Sequence, residues 1–493
     1  MEKKHTSTAK GATEDSGVKG KRALVMGLGL HGGGVATAKW LAKRGAMVTA
    51  TDLRSGEVLA ASVKALAKTS TTFILGEHRP EDFESHDLIV ANPGVPRESK
   101  FLSISKKAGK RIENDASLFF ASNTHPVLAV TGTRGKTTTT LWIAELLKKK
   151  YPDTLPSGNT PDNAFLKEFD RLKKAKPETP VVAEMSSWQL EYLPVSKRAP
   201  QIAVITNIYP DHLNRYKGIE AYASAKANIF KDQHEDDFLI LNRDNEWTTF
   251  FLEKKPNGLV FFTSVKPLLK GQNGLFVRDE SLVFRFDGIE QQLFSVKKFI
   301  ASRGAHNLEN LLAAVLAVKL FDSSVVVTEK MALALPSPRM RQETVGSKGR
   351  LTVVNDSCAT SPDGTMAAIA RFTAPAAKTH PIFVVGGTDK MLEFEVLAKY
   401  MKKHVAPDDL ILLDGSATKK LVAALVAVKY FRGHAALLHD TLATAAAEAF
   451  ARADELSGKV TVVFAPGAAS FEKFLHEFDR GEKWNALVKK LLK

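Results

Sequence analysis

The chain of 493 residues is too long for a single core and implies about three domains. Its 44% hydrophobic and 25% charged residues are the balance of a globular protein, and it has no run of 18 apolar residues that would suggest a membrane span. Its one cysteine, Cys358, excludes an internal disulfide framework and a cysteine-based zinc site, and its net charge of +15 comes from scattered lysines without aromatic interleaving, which argues against a nucleic-acid surface and for a field that attracts phosphorylated ligands.

The opening MEKKHTSTAKGATEDSGVKGKR is polar throughout, so residues 1–18 read as a disordered basic tail rather than a secretory signal. RALVMGL (22–28) is a short apolar run ending in glycines, the pattern of a buried parallel strand. The helical GVATAKWLAKRG follows and stops at Gly45. MVTATD is the next strand, and DLIVANPGVP is another that ends in a Pro/Gly turn. The alternation restarts at PVLAVTGTRGKTTTTLWIAELLKKK and continues through PVVAEMSSWQL and IAVITNIYPDH. It restarts again near residue 350 with LTVVNDS, PIFVVGG, LILLDG and VTVVFAPG. This predicts an α/β protein of three domains: a Rossmann-like domain over 19–122, a central P-loop domain with a parallel or mixed sheet over 123–338, and a second Rossmann-like domain over 339–493. Polar clusters follow the strands directly, where ligands of open α/β sheets sit.

Two glycine loops carry nucleotide chemistry. GLGLHG places Gly27, Gly29 and Gly32 in G-x-G-x-x-G spacing, with Asp52 at the end of the next strand. Glycines let the backbone approach a diphosphate, the helix N-terminus offers free N–H groups, and a carboxylate there suits a ribose or a base. Taken alone, the motif reads as NAD-binding. TGTRGKTTTT resembles a P-loop that lacks its first glycine, since that position is Val130. The backbone amides of Thr133, Arg134, Gly135, Lys136, Thr137 and Thr138 can cradle phosphates after Gly132. Lys136 can reach the β/γ-phosphates, and Thr137 can ligate Mg²⁺. Glu184 and His212 follow strands at positions that place them beside this loop, and Glu184 and Thr137 are oxygen donors of the kind Mg²⁺ prefers. An enzyme that activates a nucleotide-linked carboxylate with ATP uses both loops; an NAD-dependent oxidoreductase has no need of the second.

Taken in order, GLGLHG, TGTRGKTTTT, AEMSSWQLE, TNIYPDHLNRY, SAKANIF, GAHNLENLLAA, PRMRQE, NDSCATSPDG, GGTDK and APGAASFEKFLHEFDRG resemble the Mur ligases, the ATP-dependent amide-forming enzymes of peptidoglycan synthesis. The resemblance runs from about residue 19 to the end, and NDS-x-AT with GAASF…F…RG is similar to the D-glutamate-adding branch. It implies a cytoplasmic, monomeric enzyme that joins D-glutamate to UDP-N-acetylmuramoyl-L-alanine through an acyl phosphate, using ATP and two Mg²⁺ ions and binding no nucleic acid. It further implies that the first glycine loop holds UDP rather than NAD. Gly29, Leu30 and His31 would lie at the diphosphate, Asp52 and Arg54 on the uridine side, and Asn92, Pro93 and Gly94 around the nucleotide. Asn159 would meet the muramoyl portion, and Ser186 would also bind the UDP-linked substrate. His212 becomes a second metal ligand and Lys226 an N-carboxylated (carbamate) lysine that assists a metal. Asn310 would meet adenine, Arg341 the γ-phosphate and Asp356 the ATP ribose, with the last domain closing over ATP. Thr360, Lys390 and Ser470 would be the candidates for the amino-acid site. Two departures bear on that site: Cys358 stands where the branch often carries a lysine, and Phe478 lies one position later than its motif.

Overall fold

The computed structural model describes residues 17–29, 32–159, 164–212, 215–431 and 436–493, with the side chain of His306 excepted. Leu30, His31 and residues 1–16 of the expected tail lie outside them. The described chain forms two compact units, one running to Val296 and including Glu309–Ala332, the other made of Lys297–Leu308 and Leu333–Lys493.

The first unit holds two sheets. The first sheet comprises β1 (Arg22–Met26), β2 (Met47–Asp52), β3 (Thr72–Leu75), β4 (Leu88–Ala91) and β5 (Arg111–Glu113), in the order β3-β2-β1-β4-β5 and all parallel. β1 and β4 are almost wholly apolar because helices cover both faces of such a sheet. The strand order reverses between β1 and β4, which leaves a crevice at their carboxyl ends. Gly32 (φ 79°) turns the chain there into the helix Gly33–Lys43. Gly34 has no room for a side chain: a Cβ would lie 2.4 Å from the Leu28 carbonyl oxygen.

The second sheet comprises β6 (Val127–Thr131), β7 (Leu155–Gly158), β8 (Val181–Glu184), β9 (Ile202–Ile205), β10 (Phe238–Asn242), β11 (Leu259–Ser264), β12 (Gly274–Arg278), β13 (Ser281–Phe286) and β14 (Ile289–Ser295). Its order is β14-β13-β12-β11-β10-β9-β6-β8-β7. β7 to β12 are parallel neighbours, whereas β12, β13 and β14 run antiparallel, so the sheet is mixed as the sequence allows. Both hairpins are two-residue turns with φ near +50° or above at each central residue, Asp279–Glu280 (49°, 56°) and Asp287–Gly288 (48°, 78°).

The two sheets share one apolar core. Trp40 meets Phe169 edge-on with centroids 5.9 Å apart, and Phe119 stacks on Phe165 at 4.8 Å. The core takes in Val18 as well, which is fully buried.

The second unit has one sheet: β15 (Glu343–Lys348), β16 (Leu351–Asn355), β17 (His380–Val385), β18 (Leu410–Leu413), β19 (Leu438–His439) and β20 (Val460–Phe464), in the order β15-β16-β20-β17-β18-β19. β15 is antiparallel to β16 and the rest are parallel. The helix Lys297–Arg303 also belongs to this unit, because Arg303 donates to the Leu333 carbonyl (3.1 Å) and the Ser337 hydroxyl (3.2 Å). Among the described residues, no helix is long and apolar enough to cross a membrane.

Candidate active site

The missing glycine of the P-loop has a simple geometric reason. Val130 is not in the loop: it lies inside β6, fully buried between Glu184 of β8 and Val204 of β9. The loop opens at Gly132 (φ 144°), where a Cβ would sit 2.0 Å from the Thr206 hydroxyl, and it closes at Gly135 (φ 81°), where one would sit 2.1 Å from Asn310 Oδ1. Between them the backbone is pinned. Thr133 N donates to the Asn207 carbonyl (2.9 Å), Arg134 N donates to Asn207 Oδ1 (2.9 Å), and the Thr206 hydroxyl donates to the Arg134 carbonyl (2.6 Å). Lys136 starts the helix Lys136–Leu147, with Nζ donating to the carbonyls of Gly132 and Thr133, both at 3.0 Å. Thr137 is half-buried and Thr138 buried in the first helical turn, and the Thr139 hydroxyl donates to Asn310 Oδ1 (3.3 Å). Residues 132–138 and Asn310 are therefore one constellation.

Glu184 ends β8 beside this loop and is buried. Its Oε1 accepts from Asn159 Nδ2 (3.3 Å), while Oε2 meets no hydrogen-bond donor. Asn159 also donates its own N–H to the Glu184 carbonyl (3.0 Å). Lys226 is 1% exposed, donates to the Thr131 hydroxyl (3.3 Å) and lies 4.6 Å from the Tyr222 ring centre. Burial first, then the charge of Lys136, pushes its pKa well below the ordinary lysine value, against the opposing pull of Asp211 and Glu184. His212 holds φ 53°, a left-handed conformation uncommon outside glycine, and its ring is 5.1 Å from that of Trp188. Among the described residues, no group of three or more His, Cys, Asp or Glu is arranged to hold a metal ion.

In the first sheet's crevice, Asp52 is buried at the end of β2. Gly29 N donates to its Oδ2 and Arg54 N to its Oδ1, both at 3.0 Å, with Arg54 Nη1 3.7 Å away. The loop after β4 is bound across the crevice by Asn92 N donating to the Met26 carbonyl (2.9 Å), and Gly94 N donates to Asn92 Oδ1 (3.1 Å). Ser186 caps the helix Ser187–Leu190 reciprocally with Gln189.

In the second unit three adjacent strands deliver the other candidates. Asp356, Cys358 and Thr360 follow β16, Ser470 follows β20, and Lys390 follows β17. Thr388 and Ala469 form a bridge that brings the last two segments side by side. Ser470 is buried and its hydroxyl has no partner, whereas Lys390 is exposed. Met340 and Gln342, the neighbours of Arg341, hold φ 56° and 47°, a strained local backbone of the kind stored at ligand sites. Burial raises the Asp356 carboxyl to about 7 against the pull of Arg341, and raises the Cys358 thiol to about 11.

Two residues of the quoted motifs went unassigned in the sequence. Arg215 donates to Pro93 O (3.4 Å), Val95 O (3.3 Å) and Glu191 (3.1 Å), joining the crevice loop to the second sheet's domain. Arg480 is fully buried and donates to Ser357 O (2.8 Å), the Ser357 hydroxyl (3.1 Å), Ala468 O (3.1 Å) and Ala469 O (2.9 Å). Their charge inside TNIYPDHLNRY and FDRG was the available signal.

A glycine crevice at a strand-order reversal, joined to a P-loop with a buried carboxylate and lysine beside it, defines a nucleotide-using α/β protein of the P-loop class. Residues 130–318 match the Mur ligase middle domain, and residues 21–113 match the MurD-like Mur ligase N-terminal domain. The chain is 37% identical over 474 residues to the UDP-N-acetylmuramoylalanine--D-glutamate ligase of Roseiflexus sp. (strain RS-1), covering 95% of this chain and 98% of that one. It is 33% identical over 480 residues to the enzyme of the same name from Borreliella burgdorferi (strain ATCC 35210 / DSM 4680 / CIP 102532 / B31), covering 96% and 99%. Its fold is similar to that of the UDP-N-acetylmuramate-alanine ligase MurC from Thermotoga maritima, with a TM-score of 0.57 at 17% identity over 95% of this chain and 99% of that one. The chain belongs to the Mur ligase family of ATP-dependent ligases. Mur ligases in general use ATP and Mg²⁺.

The Asp356 carboxyl gives a stability prediction. Its pKa is about 7 in the folded chain and about 3.9 when unfolded, so the unfolded chain releases this proton first as pH rises. Stability from this group is therefore greatest below about pH 4 and declines toward pH 7. Asp356→Asn should remove that decline: the melting temperature of the variant minus that of the wild type should be more positive at pH 7.5 than at pH 4.5. Equal differences at both pH values would refute the assignment.

Proposed function

We propose that the protein joins D-glutamate to UDP-N-acetylmuramoyl-L-alanine, converting ATP to ADP and phosphate, as a cytoplasmic monomer in peptidoglycan precursor synthesis. The observation that carries this reading is the gathering of Lys136, Glu184 and Lys226 around the pinned loop after β6. Two anions, a carboxylate and a triphosphate, must meet there, and fixed cations lower the cost. The substrate carboxylate attacks the γ-phosphorus, its oxygen bonding to phosphorus as the bond to ADP breaks. The amine of the amino acid then attacks the acyl carbon, loses a proton and expels phosphate.

In this scheme the loop amides and Lys136 hold the triphosphate, and Asn310 contacts adenine. Asp52, Arg54, Gly29 and the segment Asn92, Pro93, Gly94 hold the UDP, with Leu30 and His31 at the diphosphate. Asn159 meets the muramoyl group, and Ser186 also binds the UDP-linked substrate. Arg341 meets the γ-phosphate and Asp356 the ribose. The donor set fits Mg²⁺: Glu184 Oε2 is a buried acceptor without a partner, and Thr137 supplies a hydroxyl. His212 and a carbamate on Lys226 would hold a second ion. Mg²⁺, when bound, neutralises charge on the transferred phosphoryl group. Burial without a carboxylate partner favours the neutral amine of Lys226, which can attack CO₂; the N–C bond forms and a proton leaves to solvent.

The test is phosphate release with ATP and UDP-N-acetylmuramoyl-L-alanine across a panel of amino acids. Release should require both substrates and be fastest with D-glutamate, and Lys136→Ala should slow it by about a hundredfold or more in a folded protein. Release by the folded variant at the wild-type rate would end this reading. Lys226→Ala should be similarly impaired and partly restored by acetate, a carboxylate small enough for the vacated space. Full activity with an intact mass showing no added CO₂ would remove the carbamate from the scheme.

A second reading keeps the chemistry and changes the amino acid or acceptor, and the residue that raises it is Cys358, where the D-glutamate-adding branch often carries a lysine. A charge-assisted contact contributes about 1.5–3 kcal/mol. Cys358→Lys should therefore lower KM for D-glutamate roughly ten- to a hundredfold, with little change for ATP. A wild-type preference for a neutral or basic amino acid would decide for the second reading.

A further inference from the structure

The crevice between β1 and β4 contains a group that neither the sequence motifs nor the scheme above uses. Its cavity is lined by Val25 of β1, Gly33 and Gly34 of the first helical turn, Val90 of β4, Asn92 and Asp115. The first amides of the helix Gly33–Lys43 have no intrahelical acceptor, so this end favours an anion. Asp115 reaches the cavity from the next segment, at the first position of the helix Asp115–Ser122. It is buried, and its Oδ2 accepts from Gln189 Nε2 (3.1 Å), while Oδ1 has no well-placed hydrogen-bond partner. A carboxyl facing an anion site at a helix N-terminus is out of place as an anion and well suited as an acid, because like charges in a dry crevice repel and an O–H donates.

The groups around Asp115 do not neutralise it. The helix Ser187–Leu190 brings Gln189, the helix Gly33–Lys43 brings Thr37, and the loop after β4 brings Asn92. The nearest carboxylate in sequence, Glu113, is paired with Arg111 (2.7 Å). Arg215, which donates to Pro93 O, is held by Glu191. Accordingly burial dominates and raises the Asp115 pKa to about 6, against the hydrogen bond from Gln189 and those of the nearby backbone amides.

We propose that Asp115 is a ligand-binding residue of this crevice, donating a hydrogen bond from its neutral carboxyl to the anionic diphosphate of the bound nucleotide-linked substrate. The proposal rests on the reading that this crevice holds the UDP portion. Through Gln189 the contact extends further. Gln189 Oε1 accepts from Ser186 N and the Ser186 hydroxyl, both at 3.1 Å, and Ser186 lies two residues beyond Glu184. Occupancy of the crevice is thereby connected to the strand end that carries the buried carboxylate of the phosphate-transfer site.

The test is calorimetric titration of the full chain with UDP-N-acetylmuramoyl-L-alanine, without ATP, between pH 5.5 and 8. The ligand is a diphosphodiester with a carboxylate and has no group of its own that titrates there. If only the neutral acid binds, wild-type affinity falls as pH rises through a free-protein pKa of about 6, by about fifty- to a hundredfold across the range. Binding should take up a proton, seen as a heat that varies with the ionisation enthalpy of the buffer. Asp115→Asn keeps an acceptor for Gln189 and an N–H donor for the ligand. It should bind at pH 8 more tightly than the wild type and lose the pH dependence. That comparison also separates Asp115 from His78, whose Nδ1 lies 2.7 Å from the Thr51 hydroxyl near Asp52. Asp115→Leu, with no donor, should bind weakly at every pH while retaining the wild-type circular dichroism. A wild-type affinity that does not change with pH, or an Asn variant weaker than the wild type at pH 8, would overturn the proposal. A wild type that binds the ligand at no pH would instead overturn the UDP reading of the crevice, and the proposal with it.

Discussion

A Cβ on Gly132 would lie 2.0 Å from the Thr206 hydroxyl, and much of the first unit follows from that lack of space. β6 is flanked by β9 and β8, so its loop leaves the sheet beneath the polar residues that end β9. Thr206 and Asn207 seize that loop at Arg134 and Thr133, and the loop can lie this close only because its first residue has no side chain. Lys136 is fixed by the same arrangement, since its ammonium hydrogen-bonds the carbonyls of Gly132 and Thr133. The position of the Lys136 ammonium and the shape of the backbone beneath it are thus one problem, solved by one packing contact. The extra glycine of longer P-loops has no function here because Val130 is committed to the sheet.

That compactness has an electrostatic consequence. The charge of Lys136 bears on Lys226, which is buried without a carboxylate in hydrogen-bond contact, while Glu184 carries a buried oxygen with no donor. A buried acceptor without a donor, as Glu184 Oε2 is, costs free energy in a low-dielectric site. On the proposed reading a bound cation relieves that cost, so part of the affinity for it is already stored in the fold. The same logic explains why Asp115 tolerates burial: without a cation it holds its proton more tightly, and one hydrogen bond from Gln189 satisfies its other oxygen.

The sequence was most informative where one residue type has one physical use. Gly29, Gly32, Gly132 and Gly135 all take positive φ, and the strands that precede the loops are almost wholly apolar. The antiparallel edge of the second sheet was less visible. Asp287–Gly288 is a recognised hairpin signal, but Asp279–Glu280 is not, and β14 is too exposed to show a core-facing alternation. The shared core of the first two sheets was not legible either. Trp40, Phe119, Phe165 and Phe169 look like separate local cores until the two domains are placed together. Asp115 and Arg215 were missed for a related reason: their partners, Gln189, Pro93 and Val95, lie 74 to 122 residues away in the chain.

In the second unit, Arg480 bears on the meaning of Cys358. Its guanidinium spans the ends of β16 and β20 by binding Ser357 on one side and Ala468 and Ala469 on the other. These are the chain neighbours of Cys358 and Ser470. All its hydrogen-bond acceptors are carbonyls and one hydroxyl, so it remains a buried cation without a bonded carboxylate, and burial lowers its pKa only to about 10. Such a charge raises the local potential without touching the ligand, because Coulomb interactions are weakly attenuated in a dry interior. On the proposed reading, an amino-acid carboxylate arriving between Thr360 and Ser470 meets positive potential that is built into the sheet ends. Replacing a lysine by Cys358 then removes a direct contact from the pocket but not its preference for an acidic side chain. The substitution bears on how tightly the amino acid is held more than on which sign of charge is admitted.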